Sequence, residues 1–262
     1  MRLRPRRCGN LLLTTAVLGA LATAVAGCKT GLGDITGSTG ALSGGLFGGP
    51  SSKPDSITDW RREAVAAGER YRANPRDANA ALRYAEALRK TGQRAQAVAV
   101  LQQASIHHPH DKRILGDYGR ALAEAGQLKE AFEMLGRAHT PDQPDWRILS
   151  AQGAVLDQMG QHEEARRYYA AALKIVPDEP SVLSNLGLSY ALSKQLPQAE
   201  ETLRKAVARG GKDRRVRQNL ALVVGLQGRF PEAEEIVRAD LPPEEAAQNI
   251  AYLREMVAKQ GA

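Results

Sequence analysis

The chain has 262 residues, a formal net charge of +7, 25% charged and 43% hydrophobic residues, and two cysteines. The basic excess sits at the start: residues 1–27 hold Arg2, Arg4, Arg6 and Arg7 and no acid, so the remainder carries +3 and has no nucleic-acid signature. Two cysteines, one of them in this leader, exclude a disulfide framework.

Met1 to Arg7 is basic, and Leu11 to Ala26 follows as an apolar run of 16 residues. A charged stretch before a short apolar run is the pattern of a secretory signal peptide, and a run this short is marginal for a membrane span. The run closes in Val25-Ala26-Gly27-Cys28, which resembles a bacterial lipobox. The resemblance implies cleavage after residue 27 and a lipid on the Cys28 thiol; an ordinary signal peptide with a chance cysteine, or an uncleaved anchor, is the alternative. Cys8 leaves with the leader, so no disulfide can form even in an oxidising periplasm. Residue 29 is Lys rather than Asp, which by resemblance to bacterial lipoprotein sorting favours the outer membrane over the inner. More than one acyl chain on Cys28 would hold stably where one holds marginally. Residues 28–55 then form a linker: Lys29 to Asp55 has eight glycines in 27 residues, cannot bury a core, and spans about 25–30 Å as a flexible coil.

A helix is expected within 56–77, from about Ile57 to Arg72 and stopped by Pro75, serving as the second helix of a half unit. From residue 78 the chain repeats. Ala97, Ala131, Ala165, Ala199 and Ala233 stand 34 residues apart. With units numbered from Ala78, Lys112, Trp146, Pro180 and Arg214, these alanines occupy position 20. Position 8 is Ala85, Gly119, Gly153, Gly187 and Ala221; position 11 is Leu88, Leu122, Leu156, Tyr190 and Val224; position 24 is Leu101, Leu135, Tyr169, Leu203 and Val237. Small residues at 8 and 20 let two helices approach, and apolar residues at 11 and 24 fill the space beside them. Position 15 is Gly92, Gly126, Gly160, Lys194 and Gly228, as a left-handed helix end prefers, with Lys194 the departure. Pro75, Pro109 and Pro177 stop second helices, while Pro197 and Pro231 fit first turns, where the missing N–H costs nothing. Position 27 is alanine in four units and Asp240 in the fifth, so the last unit decays into a cap. Pro243 to Gln260 reads as a capping helix with Ala246, Ile250, Leu253 and Val257 on one face.

A 34-residue period with these columns resembles the tetratricopeptide-repeat family. The resemblance implies an all-α right-handed superhelical solenoid of about five helix–turn–helix units, flanked by N- and C-terminal capping helices. The units are 78–111, 112–145, 146–179, 180–213 and a degenerate 214–247, with the repeats covering 78–245 and the last helix 243–260. Such a solenoid binds a protein or peptide segment rather than performing chemistry.

No phosphate loop, zinc-protease helix or nucleophile elbow occurs; Gly31, Gly33 and Gly37 miss the spacing of a dinucleotide turn. His107, His108 and His110 cluster at an inter-unit loop without further ligands at metal spacing. Glu163-Glu164 and Glu234-Glu235 are placed at the starts of second helices, where carboxylates favour the dipole. The basic stretch Lys212 to Arg217 reads as a solvated helix start. The protein is read as a non-enzyme with no metal and no cofactor other than a covalent lipid on Cys28.

In the repeat family, positions 2, 5, 6, 9, 12 and 13 of the first helices face a groove. Position 6 gives Arg83, Asp117, Ala151, Asn185 and Asn219. An amide donates and accepts at once, so Asn185 and Asn219 suit a partner's main chain. Leu188 and Leu222 at position 9 supply an apolar floor. Arg120 at position 9, Arg147 and Arg215 at position 2, and Gln218 at position 5 complete the candidate groove with Arg83. Position 5 is Leu82, Gly116, Ser150, Ser184 and Gln218, so the two-site carboxylate clamp of chaperone-binding relatives is absent.

The lipobox, the Gly-rich linker and a solenoid ending in Leu226-Gln227-Gly228-Arg229-Phe230 and Asp240-Leu241-Pro242-Pro243-Glu244 together resemble the repeat lipoproteins of tight-adherence (Flp) pilus assembly. That resemblance implies an outer-membrane-tethered periplasmic adaptor for a pilus component such as the secretin, with no nucleic-acid partner. A general periplasmic scaffold for envelope or outer-membrane protein assembly is the alternative.

Overall fold

The computed structural model describes residues 56–210 and 213–260; the expected leader, Cys28 and the linker lie outside them. The described residues form twelve helices and no strand: α1 (Ile57–Ala73), α2 (Ala78–Lys90), α3 (Arg94–His107), α4 (Lys112–Glu124), α5 (Leu128–Arg137), α6 (Trp146–Gln158), α7 (His162–Ile175), α8 (Pro180–Leu192), α9 (Leu196–Gly210), α10 (Arg214–Leu226), α11 (Phe230–Arg238) and α12 (Pro243–Gln260). Each even-numbered helix from α2 to α10 packs on the odd helix after it and on the next even helix. The even helices thus form one layer and the odd helices the other, in an all-α superhelical stack.

Every first helix starts at position 1 and every second helix at position 17. The starts of the first helices are fixed by an acidic column at the same period. Asp77, Asp111, Asp145, Glu179 and Asp213 accept from backbone N–H groups two residues on, at 2.8, 2.9, 2.8, 3.4 and 2.9 Å, satisfying donors that a helix start leaves open. Their ends are fixed by position 15. Gly92, Gly126, Gly160 and Gly228 have φ of 77–81°, and Lys194 takes φ 60°. Each closes a six-residue backbone loop, such as Gln93 N–H to Leu88 C=O at 2.8 Å and Gln195 N–H to Tyr190 C=O at 2.9 Å. The lysine thus tolerates the turn by adopting the left-handed conformation itself, at a cost of about 1–2 kcal/mol. The Ser193 hydroxyl beside it bonds the Ser189 and Tyr190 carbonyls at 3.0 and 3.1 Å.

Position 8 presses on position 24. A Cβ on Gly119, Gly153 or Gly187 would lie 2.6 Å from the side chain of Leu135, Tyr169 or Leu203 respectively. Position 20 alanines are fully buried beside them. In these three units close approach of the two helices therefore depends on an absent side chain at position 8, and the apolar residues at 11 and 24 fill the cleft.

The ends depart from the repeat for identifiable reasons. Asp240, which replaces the position-27 alanine, accepts from Arg217 through both carboxylate oxygens, one contact being 2.7 Å from Nε; the guanidinium holds its carboxyl below the usual range. Arg217 is therefore tied down, whereas Arg214 and Arg215 of the same basic stretch are exposed. Helix α12 packs on α10 and α11, as a first helix packs on the unit before it. Ala246, Ile250 and Leu253 are buried there, and Val257 packs half-buried beside them. It caps the stack instead of filling the groove. At the other end, α1 is held to α2 by Arg83, whose Nε donates to Glu63 at 2.7 Å and whose guanidinium lies 5.6 Å from the Trp60 ring.

Glu234 and Glu235 lie past the first turn of α11, where Glu232 is the first-turn acid. Glu234 pairs with Arg238 one turn on, at 2.6 Å. The helix begins at Phe230, three residues before Ala233, so the pair falls beyond the reach of the N-terminal dipole. Glu163 and Glu164 do occupy the first turn of α7.

Replacing Gly153 by Ala tests the close approach. Helix propensity favours the change by about 1 kcal/mol, but overpacking costs about 1–3 kcal/mol, and shifting Tyr169 strains its 2.9 Å bond to Asp157. The melting temperature is expected to fall by about 2–4 °C per kcal/mol of net loss. An unchanged or raised melting temperature by calorimetry would show that the gap is dispensable.

Candidate functional site

The layer of first helices presents two differently built regions. In the N-terminal half, a cavity of about 490 Å³ lies between α4 and α6. Arg120 and Arg147, candidates from adjacent units, both line it, together with Lys112 and Arg113. Arg120 pairs with Asp117 at 2.9 Å and Arg113 with Asp111 at 2.9 Å. Arg147 is exposed and lies 4.4 Å from the centre of the Trp146 ring, while the Lys112 ammonium reaches the Gln143 carbonyl at 3.4 Å.

The cavity exists for two local reasons. Gly116 supplies no side chain, and a Cβ there would come within 2.8 Å of Ile148 Cδ1. Helix α5 also stops at Arg137, earlier than the other complete second helices, and the loop with Pro141 and Pro144 brings His139 and Gln143 to the cavity wall. The His139 Nε2 lies 3.2 Å from Gln152 Oε1, and its Nδ1 is the one buried side-chain polar atom among the described residues with no hydrogen-bond partner.

In the C-terminal half the position-6 asparagines form a ladder. Asn185 Nδ2 donates to Ser150 Oγ at 3.1 Å and Asn219 Nδ2 to Ser184 Oγ at 2.9 Å. Both asparagines are half-buried, and both serines are buried at position 5 of the preceding unit. The bond locks each amide's rotamer, while an amide retains a second N–H and two acceptor lone pairs for a ligand. Leu188, Leu222 and Gln218 are half-buried on the same layer. Arg215 is exposed and bonds its own cap, Asp213, at 3.3 Å. Arg83 is turned to α1, away from the other candidates.

The sequence columns left several of these residues unmarked. Ser150 and Ser184 could be found only by pairing position 5 of one unit with position 6 of the next. Lys112, Gly116 and His139 form a site through the shortened α5, for which the two prolines were the visible signal. Asp157 joins units three and four: Oδ1 accepts from His162 Nδ1 and Ser189 Oγ, both at 2.8 Å, and Oδ2 from the Tyr169 hydroxyl at 2.9 Å. Burial and the neighbouring carboxylate push the Tyr169 phenol far up. Serine and histidine both bond the aspartate here, so the histidine is not placed as a base toward the hydroxyl, and the set is a structural pin. His108 Nε2 contacts the Arg76 carbonyl at 2.7 Å and His107 contacts Gln103 at 3.1 Å; among the described residues no three potential ligands converge on a metal position.

The fold and the matched repeats define a helical scaffold for protein interaction. Models of the tetratricopeptide repeat match residues 92–153 and 147–212; such repeats are interaction modules, with no catalytic family indicated. No curated protein matches the sequence. Among solved structures, PilW, described as a widely conserved type IV pilus biogenesis factor, is similar with a TM-score of 0.64 at 20% identity, over 74% of this chain and 91% of that one. PilF of Pseudomonas aeruginosa gives 0.53 at 18% identity, over 68% and 82%. The Cut9–Hcn1 structure of the APC/C gives 0.63 at 13% identity over 78% of this chain, which spans 42% of that relative's length. At these identities the likeness is one of fold.

The ladder separates a structural from a binding role. Asn185→Ala with Asn219→Ala, and Ser150→Ala with Ser184→Ala, each remove the same two hydrogen bonds, worth about 1 kcal/mol apiece, and should lower the melting temperature alike. Only the asparagine pair is expected to weaken partner capture in crosslinked pull-down. Equal capture by both double variants would make the amides purely structural.

Proposed function

We propose that this protein is a non-enzymatic adaptor resembling TadD of tight-adherence (Flp) pilus assembly, held at the outer membrane from the periplasmic side by a lipid on Cys28. The observation that carries the reading is the layer of first helices itself: a basic cavity followed by a ladder of pinned amides, built from a repeat whose domains bind protein or peptide partners. The lipobox ending in Cys28, the Gly-rich linker and the terminal segments Leu226 to Phe230 and Asp240 to Glu244 support the pilus assignment. The fold shared with PilW, a type IV pilus biogenesis factor, is consistent with it.

The partner is a segment of a pilus-assembly component such as the secretin, and no cofactor beyond the lipid takes part. Tethering supplies avidity. A flexible segment of the linker's length would reach about 25–30 Å and keep the first-helix layer near the membrane, so that modest intrinsic affinity suffices when effective concentration approaches the millimolar range.

Deletion of the gene, complemented by the native chain or by Cys28→Ser at matched expression, tests both halves. Flp pili are expected to be lost on deletion, restored by the native chain, and restored at least tenfold less well by the untethered variant. Intact pili after deletion would leave the general envelope scaffold as the reading; full rescue by Cys28→Ser would remove the lipid from the mechanism.

A further inference from the structure

The cavity between α4 and α6 carries charge that the fold does not use. Among its four lining bases, Arg113 and Arg120 are neutralised by Asp111 and Asp117. Lys112 and Arg147 have no ion pair among the described residues; one meets only the Gln143 amide and the other only the Trp146 ring. Of the carboxylates nearby, Asp145 accepts the Arg147 backbone N–H as the cap of α6, at 2.8 Å. Asp142, whose carboxyl is held below its usual range by the Thr140 hydroxyl and, least, by the Lys112 charge, is exposed on the adjoining loop. The same wall holds His139, whose buried Nδ1 lacks a partner. A native structure rarely leaves such an atom unpaired without a reason.

We propose that this cavity binds side-chain carboxylates of an acidic, extended segment of the partner protein; the proposal rests on the reading that the groove takes a protein segment. Two unpaired bases come from two different units, so they call for two carboxylates. A chain end supplies one, whereas an acidic stretch supplies several. The shared chemistry is charge-assisted hydrogen bonding to carboxylate oxygens, with Arg147 offering a planar fork and Lys112 a mobile point charge. The ladder of Asn185 and Asn219 further along the layer would then hold main chain, so that the acidic stretch fixes register and the amides grip without regard to sequence.

The test uses the full chain in detergent and fluorescently labelled, N-acetylated octapeptides read by anisotropy. One peptide alternates Glu with Ser and ends in an amide, the second replaces every Glu by Gln, and the third is the Gln peptide with a free C-terminal carboxylate. The amidated Glu peptide should bind at least tenfold more tightly than either Gln peptide. Lys112→Gln with Arg147→Gln should weaken it at least tenfold without changing the melting curve, because both side chains are exposed. Arg167→Gln with Lys174→Gln, the same loss of charge on the second helix α7, should change it less than twofold. Equal binding of the amidated Glu and Gln peptides would overturn acid recognition while leaving the groove reading intact. Tight binding of the third peptide alone would assign the cavity to a chain terminus and overturn the side-chain proposal, as would absence of any binding or equal weakening by both double variants. The groove reading is judged separately by the site of crosslinking in the envelope.

Discussion

The contact between position 8 of a first helix and position 24 of the second sets the geometry on which the other features rest. Three units place glycine where any Cβ would sit 2.6 Å from the facing side chain. A separation that small commits the inner face of the second helix to packing, its alanine at position 20 and its large residue at 24 buried together. Turns pinned at both ends then repeat the same hairpin, and successive first helices fall side by side. The groove layer follows from that packing, because the first helices are left with one face against their partner helices and another free to carry polar residues.

The same rule explains where the repeat gives way. Asp240 occupies a column kept for alanine, and it does so beside Arg217, which neutralises it. At Gly225 an added Cβ would meet Leu253 at 2.3 Å, so the last first helix accepts α12 through the same device of a missing side chain. The stack is closed by a helix that imitates the next unit, as a solenoid with an apolar end requires. Arg83 does the corresponding work at the other end, where its guanidinium binds Glu63 and faces Trp60. Residues at groove-type positions near an end are thereby recruited to hold the caps.

Much of this was legible in the columns because the period repeats short-range rules. The left-handed turns at position 15, the helix stops before Pro75, Pro109 and Pro177 and the first-turn placement of Pro197 and Pro231 are local and need only the register. What the columns left hidden depends on contacts between units. Asn185 and Asn219 stood out as amides, but their serine partners lie 35 residues earlier, outside any one unit. Four arginines looked alike in the alignment: Arg83 and Arg215 meet Glu63 and Asp213, while Arg120 and Arg147 meet in one cavity. Their fates are decided by neighbouring acids and by the shortened α5, neither of which a 34-residue consensus records. The leader, Cys28 and the linker rest on the sequence pattern, since they fall outside the described residues.

In the proposed function the layer of first helices, and not the layer of second helices, meets the partner. The direct measurement is a photocrosslinking scan in the bacterial envelope, with a photoreactive amino acid placed singly at residues 120, 188 and 222 on the first helices and at 167, 201 and 235 on the second. The account predicts covalent adducts to a common partner from the first set and none from the second. Adducts confined to the second set would contradict it.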